Sequence, residues 1–257
     1  MTRIDSYEDL TDNIVGWLKD YYWMHNVKAF VVGVAGGIDS AVVSSLCART
    51  GLPTYVVCMP LESKFENSRL SDAHSKALVE KYDNVKRVEV ELFSAYDSLI
   101  KSIEWWSEAQ HFDKKEFTSS ELANANTKSR MRMITLYQIA GSVGGIVVGT
   151  GNKVEDYGVG FYTKYGDGGV DIAPIADLYK TEVCELGEYL EVDQRIVDAD
   201  PTDGLWIDSR SDEEQLGASY AELEEAMETG TGPAVEVLKK FNTQNKHKME
   251  PIPTFKL

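Results

Sequence analysis

Asp39 stands just past a glycine pair, in the run Val31-Val32-Gly33-Val34-Ala35-Gly36-Gly37-Ile38-Asp39-Ser40, and the apolar stretch Ala41 to Cys47 follows. The pattern predicts a strand, a tight turn and the first turn of a helix. Glycines let backbone N–H groups approach a phosphate closely, and a helix N-terminus adds partial positive charge. A carboxylate beside such a cradle needs a cation between the two anions, and Mg²⁺ is the usual one. The loop therefore predicts a Mg²⁺-bound pyrophosphate group. It is not a Walker A loop, because no Gly-Lys-Ser/Thr follows.

Further polar residues cluster in segments downstream. Lys128, Arg130 and Arg132 lie within five residues of an otherwise acidic chain. On a helix Lys128 and Arg132 share a face and Arg130 points elsewhere; the planar guanidinium suits phosphate or carboxylate. Thr150 ends the apolar run Gly145 to Thr150, where a hydroxyl can meet a nucleotide, and Glu155 or the adjacent Asp156 can supply a second carboxylate to Mg²⁺. Lys164, Asp167 and Asp171 share a glycine-dense stretch, KYGDGGVD. Lys180 opens a further apolar-patterned segment, Thr202 follows a proline, and His247-Lys248 sits near the C-terminus.

The elements that must carry these residues alternate. Leu10, Ile14, Trp17, Leu18 and Tyr21 recur at helical spacing. Strands are predicted at Ala29–Val34, Pro53–Met59, Val85–Leu92 and Gly145–Thr150. Helices are predicted at Ser40–Arg49, Asn67–Tyr82, Ala95–Ala109, Glu121–Ile139, Asp177–Leu190, Gln194–Asp198, Asp212–Met227 and Pro233–Phe241. Alternating βα units imply an α/β fold with a doubly wound parallel sheet and helices on both faces. Ligands in such sheets bind at the carboxyl ends of the strands, where the motifs fall. Gly151 to Gly169 reads as a long functional loop, Pro201 to Trp206 as a lid, and Asn242 to Leu257 as a polar tail.

Composition narrows the class. The 257 residues suit one domain over 1–257, and 43% hydrophobic content supplies its core. A formal net charge of −16 argues against a nucleic-acid binder. Three dispersed cysteines, Cys47, Cys58 and Cys184, make no metal spacing and fit a reducing compartment. No signal peptide opens the chain, and no apolar run approaches the ~20 residues of a membrane span. The expected location is cytoplasmic.

The glycine loop resembles the Ser-Gly-Gly-x-Asp-Ser loop of the N-type ATP pyrophosphatases. Taken with NTKSRMRMITLYQ, GIVVGTGNKVEDYGVGFYTKYGDGGVDIAPIADLYK, PTDGLW and NKHK in that order, it is similar to the NAD synthetase family in its short, ammonia-dependent form, from about Tyr7 to Phe255. The resemblance implies an adenine-nucleotide α-hydrolase-like, Rossmann-like fold. It implies a ligase that makes NAD⁺ from deamido-NAD⁺, ATP and ammonia through an adenylated nicotinate, releasing AMP and pyrophosphate. It further implies ATP contacts at Gly33, Val34, Ala35, Gly36, Gly37, Ile38, Asp39, Ser40, Thr150, Lys180 and Thr202. Mg²⁺ would sit on Asp39 and Glu155. Deamido-NAD⁺ would lie on Arg130, Lys164, Asp171, His247 and Lys248, with Asp39, Lys180 and Asp171 nearest the chemistry. A homodimer with the dinucleotide across its interface is also implied.

The chain departs from that pattern in three places. Gly151-Asn152-Lys153-Val154-Glu155 replaces the Asp-His-Ala-Ala-Glu of many ammonia-dependent members. This Asn-Lys form also occurs in glutamine-dependent members, but the chain has no room for their glutaminase domain. The interval from Glu155 to Lys164 is one residue longer than in the Asp-His form. Ala35 stands where the family has serine, which removes one hydroxyl donor from the phosphate loop. The competing readings are a weak or silent nucleotide-binding paralogue, which Ala35 motivates, and a sister ATP-pyrophosphatase ligase.

Overall fold

The computed structural model describes residues 3–61, 65–113, 115–201 and 211–256. The chain opens with helix α1 (Tyr7–Met24). Strand β1 (Phe30–Gly33) then leads into α2 (Ile38–Arg49). β2 (Thr54–Cys58), α3 (Phe65–Lys81), β3 (Val85–Glu89), α4 (Phe93–Ala109), α5 (Glu121–Val143) and β4 (Ile146–Val148) follow. The last part is helical: α6 (Lys180–Tyr189), α7 (Gln194–Val197), α8 (Asp212–Leu216), α9 (Tyr220–Thr229) and α10 (Val235–Met249). The four strands are parallel in the order β3-β2-β1-β4. A single parallel bridge from Val148 to Ile172 extends the β4 edge.

Alternation along β1 divides the core. Phe30 and Val32 face a cluster with Leu18 of α1, Val42 and Leu46 of α2 and Val183 and Leu186 of α6. Val31 faces the other side, against Met133, Leu136 and Ala140 of α5 and Val147 of β4. Both faces are covered, as a parallel sheet requires. Ten of the twelve residues of α2 are buried, so this helix lies inside the molecule rather than on it. A third cluster, Val154, Val159, Tyr179, Tyr220 and Leu223 among others, joins the segment after β4 to α6, α8 and α9.

The order of strands makes β1 and β4 neighbours while the chain leaves β1 toward β2 and β3 on the opposite side. The loops leaving β1 and β4 therefore part in opposite directions and open a crevice at their carboxyl ends. The Gly33–Ser40 turn and the Thr150–Glu155 segment border it.

Two expectations change. The segment Gly151–Gly169 is not one loop, since Lys153–Val159 forms a π-helical turn capped by Asn152, whose Oδ1 accepts from the Val154 and Glu155 amides at 3.1 Å each. A π turn is wider than an α turn, so this segment is a defined element between β4 and the KYGDGG stretch. α10 continues to Met249 rather than ending at Phe241. Its last turns are polar, and they are held by contacts to that π turn rather than by apolar periodicity. Thr202 to Trp206, read as part of a lid, lie outside the described residues.

A buried histidine ties α3 to α2. His74 Nε2 lies 2.9 Å from Ser44 Oγ, which donates to Ala41 O at 3.1 Å. Burial pushes the imidazole down from 6.5 to about 4. The unfolded chain therefore binds this proton first as pH falls. His74's contribution is fully present above about pH 6.5 and is lost progressively down to about pH 4. Denaturant titrations at pH 7 and pH 5 should show a loss of about 2 kcal/mol from this group. In His74→Gln that part of the pH dependence should vanish; an unchanged pH slope would refute the assignment.

Candidate active site

The turn after β1 is built by glycine and by two hydroxyls. Gly36 has φ +90°, a conformation L side chains rarely adopt. Ser71 of α3 donates to Val34 O at 2.7 Å and fixes the end of the strand. Ser40 Oγ accepts from the Ala35 amide at 3.2 Å and donates to Gly37 O at 2.9 Å, so it bridges the turn from inside. Gly37 caps α2 with no side-chain hydrogen bond to the helix amides. The N-terminal turn of α2 thus presents backbone donors and a positive dipole end to the crevice.

Asp39, in that first turn, meets Lys180 from the start of α6 and Asn152 from the loop after β4. Lys180 Nζ donates to Asp39 Oδ2 and, at 3.2 Å, to Glu155 Oε1. Asn152 Nδ2 donates to Asp39 Oδ1 at 3.1 Å while its oxygen caps the π turn. Tyr220 of α9 donates to Glu155 Oε1 at 2.6 Å and lies 3.4 Å from Asp212 Oδ2. The ammonium is 7% exposed and its two carboxylates 16% and 17%, so all three groups are largely removed from water.

This burial sets the protonation states. Desolvation opposes the charge on Lys180, but Asp39 and Glu155 outweigh it and hold the ammonium well above its ordinary value. Desolvation likewise opposes the charge on Glu155, and there Lys180, Tyr220 and Asn152 prevail and lower it. Asp39 is raised, by burial first, with Lys180 pulling down and Glu155 pushing up. Two carboxylates share one ammonium, so the site carries surplus negative charge beside the uncapped end of α2. An oxygen-ligating divalent cation with a phosphate would satisfy both halves. Among the described residues no group of three or more His, Cys, Asp or Glu side chains is placed to hold a metal ion. The donor set fits Mg²⁺, which takes one or two carboxylates and completes its shell with water and phosphate oxygens.

Glu155 and Asp156 separate cleanly. Glu155 joins Lys180, whereas the Asp156 carboxyl lies over Gly151, where an added Cβ would sit 2.1 Å from its Oδ2. Burial, with Glu155, Asp167 and Asp39 repelling, pushes Asp156 well above its ordinary value despite Lys248 nearby.

A second group of the expected residues gathers along 162–164. Arg130 Nε donates to Lys164 O at 3.1 Å, Lys164 Nζ to His247 O at 3.2 Å and Lys248 Nζ to Tyr162 O at 2.7 Å. Lys128, by contrast, is buried under Tyr96, its ammonium 5.5 Å from the ring centre. The KYGDGG stretch is tied down rather than loose. Ser129 donates to Asp167 Oδ1 at 2.6 Å, and Gly166 passes so close that an added Cβ would lie 2.2 Å from Ser129 Oγ. Asp171 stands apart from both groups, accepting from Tyr137 Oη at 2.9 Å and from the Val147 amide at 2.8 Å. An open groove of about 660 Å³ lined by Met133, Tyr137, Tyr165 and Gly169 adjoins it. Thr150 stands at the end of β4, half-buried; Thr202 lies outside the described residues.

The NAD synthase family model matches residues 10–253. The chain belongs to the NAD synthase family. The NH(3)-dependent NAD(+) synthetase of Carboxydothermus hydrogenoformans is 34% identical over 95% of each chain. That of Archaeoglobus fulgidus is 35% identical over 86% of this chain and 83% of the relative. Among solved structures, the NMN synthetase from Francisella tularensis superposes with a TM-score of 0.85 at 30% identity, over 99% of this chain and 100% of that one. The NH3-dependent NAD synthetase from Campylobacter jejuni, at 24% identity and TM-score 0.77, shares the fold.

Three residues of the site, Asn152, Asp212 and Tyr220, were not singled out by the motifs. Ser219-x-x-Glu222 is a legible helix start, and the structure forms it, Glu222 accepting from the Ser219 amide at 2.9 Å. Nothing in that signature says that the next residue reaches a carboxylate 65 positions earlier. Tyr220→Phe keeps the ring in the core and removes only the donor to Glu155. Turnover of the synthetase reaction should fall about 10–100-fold, the usual cost of losing an outer-shell partner of a metal ligand. Turnover equal to the unmodified enzyme, measured at limiting Mg²⁺, would show that the phenol does not act on Glu155.

Proposed function

We propose that this protein is an ammonia-dependent synthetase that converts deamido-NAD⁺ to NAD⁺ with ATP, as one domain over 1–257 working in the cytoplasm as a homodimer. The observation that carries the reading is Lys180 held between Asp39 and Glu155, carboxylates delivered by the ends of the two strands that flank the crevice.

Deamido-NAD⁺ carries a nicotinate carboxylate, a poor electrophile. Its oxygen attacks the α-phosphorus of ATP, pyrophosphate leaves, and the acyl-adenylate forms. Ammonia then attacks the acyl carbon, AMP leaves, and a proton is lost from nitrogen. The chain's part is to bring anions together and keep water out. Gly33, Val34, Ala35, Gly36, Gly37, Ile38 and Ser40 line the turn that receives the ATP phosphates, with Thr150 and Thr202 as further ATP contacts. Asp39 and Glu155 would hold Mg²⁺, which supplies charge neutralisation at the phosphates. Lys180 offers a fixed positive charge to the same anions. Arg130, Lys164, His247 and Lys248, gathered near residues 162–164, receive the anionic dinucleotide. Asp171, bonded to Tyr137 beside the groove, would also hold the dinucleotide, which in the proposed homodimer lies across the interface of the two copies.

The test is direct. Incubation with ATP, Mg²⁺, ammonium and deamido-NAD⁺ should yield NAD⁺, AMP and pyrophosphate in equal amounts, from a species sedimenting at twice the 28.7 kDa chain mass. Lys180→Met should lower turnover by at least about 10²-fold. Tight ATP binding without NAD⁺ or AMP would favour a silent paralogue, and pyrophosphate release only with another carboxylate a sister ligase. A parallel arm with nicotinate mononucleotide is needed because the 30%-identical solved relative is an NMN synthetase.

Ala35 sets a second expectation. Its amide already bonds Ser40, so the turn keeps its shape without a serine at 35. What is missing is one hydroxyl aimed at phosphate. Ala35→Ser should raise turnover, by no more than about 10²-fold. No gain would show that the hydroxyl is dispensable in this turn.

A further inference from the structure

The π turn that delivers Glu155 has an end that its own backbone cannot satisfy. The Phe161 amide bonds back to Glu155 O at 2.8 Å, as does the amide of Gly160, the left-handed cap at φ +64°. The last carbonyls of the turn, at Gly158 and Val159, have no helical residue ahead to accept from. Both are met from outside. Asn242 Nδ2 donates to Gly158 O at 3.0 Å and Asn245 Nδ2 to Val159 O at 2.8 Å. The two asparagines are three residues apart on α10 and share a face. Backbone contact is close there, since a Cβ added at Gly160 would lie 2.6 Å from Asn245 Cβ.

We infer that Asn242 and Asn245 are positioning residues, an external cap that holds the residues 153–159 in the π register and so fixes Glu155 beside Lys180 and Asp39. The inference rests on the proposed synthetase reading for what Glu155 does there. An α turn advances about 100° per residue, and a π turn holds more residues per turn. Relaxation of 153–159 to the α register would therefore shift Glu155 against the fixed cap Asn152, away from the ammonium it shares with Asp39. The two amides prevent this by accepting no substitute geometry. They bind the carbonyls of consecutive residues, and an α-helical end would present those carbonyls in other directions. Among the described residues neither asparagine hydrogen-bonds Asp39, Lys180 or Glu155, so their effect passes through the turn.

The experiment uses the full chain. Asn245→Leu keeps the side-chain volume and removes the donor; Asn245→Ala and Asn242→Ala remove donor and bulk; Asn245→Gln returns a donor. Hydrogen–deuterium exchange gives a readout independent of turnover. In Asn245→Leu the amides of Gly160 and Phe161 should exchange at least about tenfold faster, while those of β1 and α2 stay protected. The Mg²⁺ concentration for half-maximal NAD⁺ formation should rise about tenfold, with KM for ATP at saturating Mg²⁺ changed less than about twofold. Asn245→Gln should recover part of both. Faster exchange with an unchanged Mg²⁺ requirement would reduce the asparagines to structural contacts and overturn the inference, as would unchanged exchange. Unfolding of all donor-free variants would overturn it too, because the cap would then serve the whole fold. Failure of the synthetase reading shows differently, as an unmodified enzyme that forms no NAD⁺.

Discussion

The ammonium of Lys180, shared by two carboxylates in a nearly dry crevice, is the interaction on which this molecule's architecture converges. Removing charges from water is costly, and a buried ion group is stable only when geometry and further hydrogen bonds repay that cost. Here the repayment comes from elements far apart in the chain. The start of α2 supplies Asp39, the start of α6 supplies Lys180, the π turn supplies Glu155, and Asn152 and Tyr220 use hydrogen bonds to steady the two acids. Each contributor must be held rigidly, or the surplus negative charge would have no fixed place.

Much of the surrounding structure reads as the means of holding them. α2 is buried on nearly all sides, so its first turn cannot drift. Glu182 accepts from the Tyr179 amide at 2.8 Å, and the Arg3 and Lys153 cations lie 4.6 and 5.1 Å from the centre of the Tyr179 ring, which fixes the residue just before Lys180. Glu224 of α9 bonds both the amide and the hydroxyl of Thr181, joining the helix that carries Tyr220 to the helix that carries Lys180. These contacts are hydrogen-bonded and directional, whereas the sheet core is apolar and forgiving. The core makes the crevice; the polar links set its dimensions.

The parts legible in the sequence follow from local signals. Short valine-rich runs gave the four parallel strands, and 3.6-residue periodicity gave α1. The Gly36-Gly37-Ile38-Asp39 turn was legible as a strand-to-helix turn with a carboxylate in the first turn of the helix. What stayed hidden was non-local. The π turn looked like a glycine-rich loop because its register depends on side chains of α10. The last turns of α10 looked like a solvated tail because Asn242, Asn245 and Lys248 are polar, and only the carbonyls they meet make them helical. Tyr220 stood at a helix start with an ordinary capping signature and gave no hint of Glu155.

The segment from Glu155 to Lys164 shows how the fold ties down backbone near its candidate site. Both ends of the segment are committed: Glu155 to Lys180, and Lys164 to Arg130 and His247. Neither end can slide without breaking a polar contact. A wider helical turn spans the first part of the segment, at the cost of a less favoured backbone. That cost falls where carbonyl groups face α10, and two asparagine amides meet them. The same logic applies to Ala35, where a side-chain hydroxyl is absent but Ser40 spans the turn from within and preserves its path. In both places a partner side chain holds the path of the backbone, from α10 for the π turn and from inside the turn at Ala35.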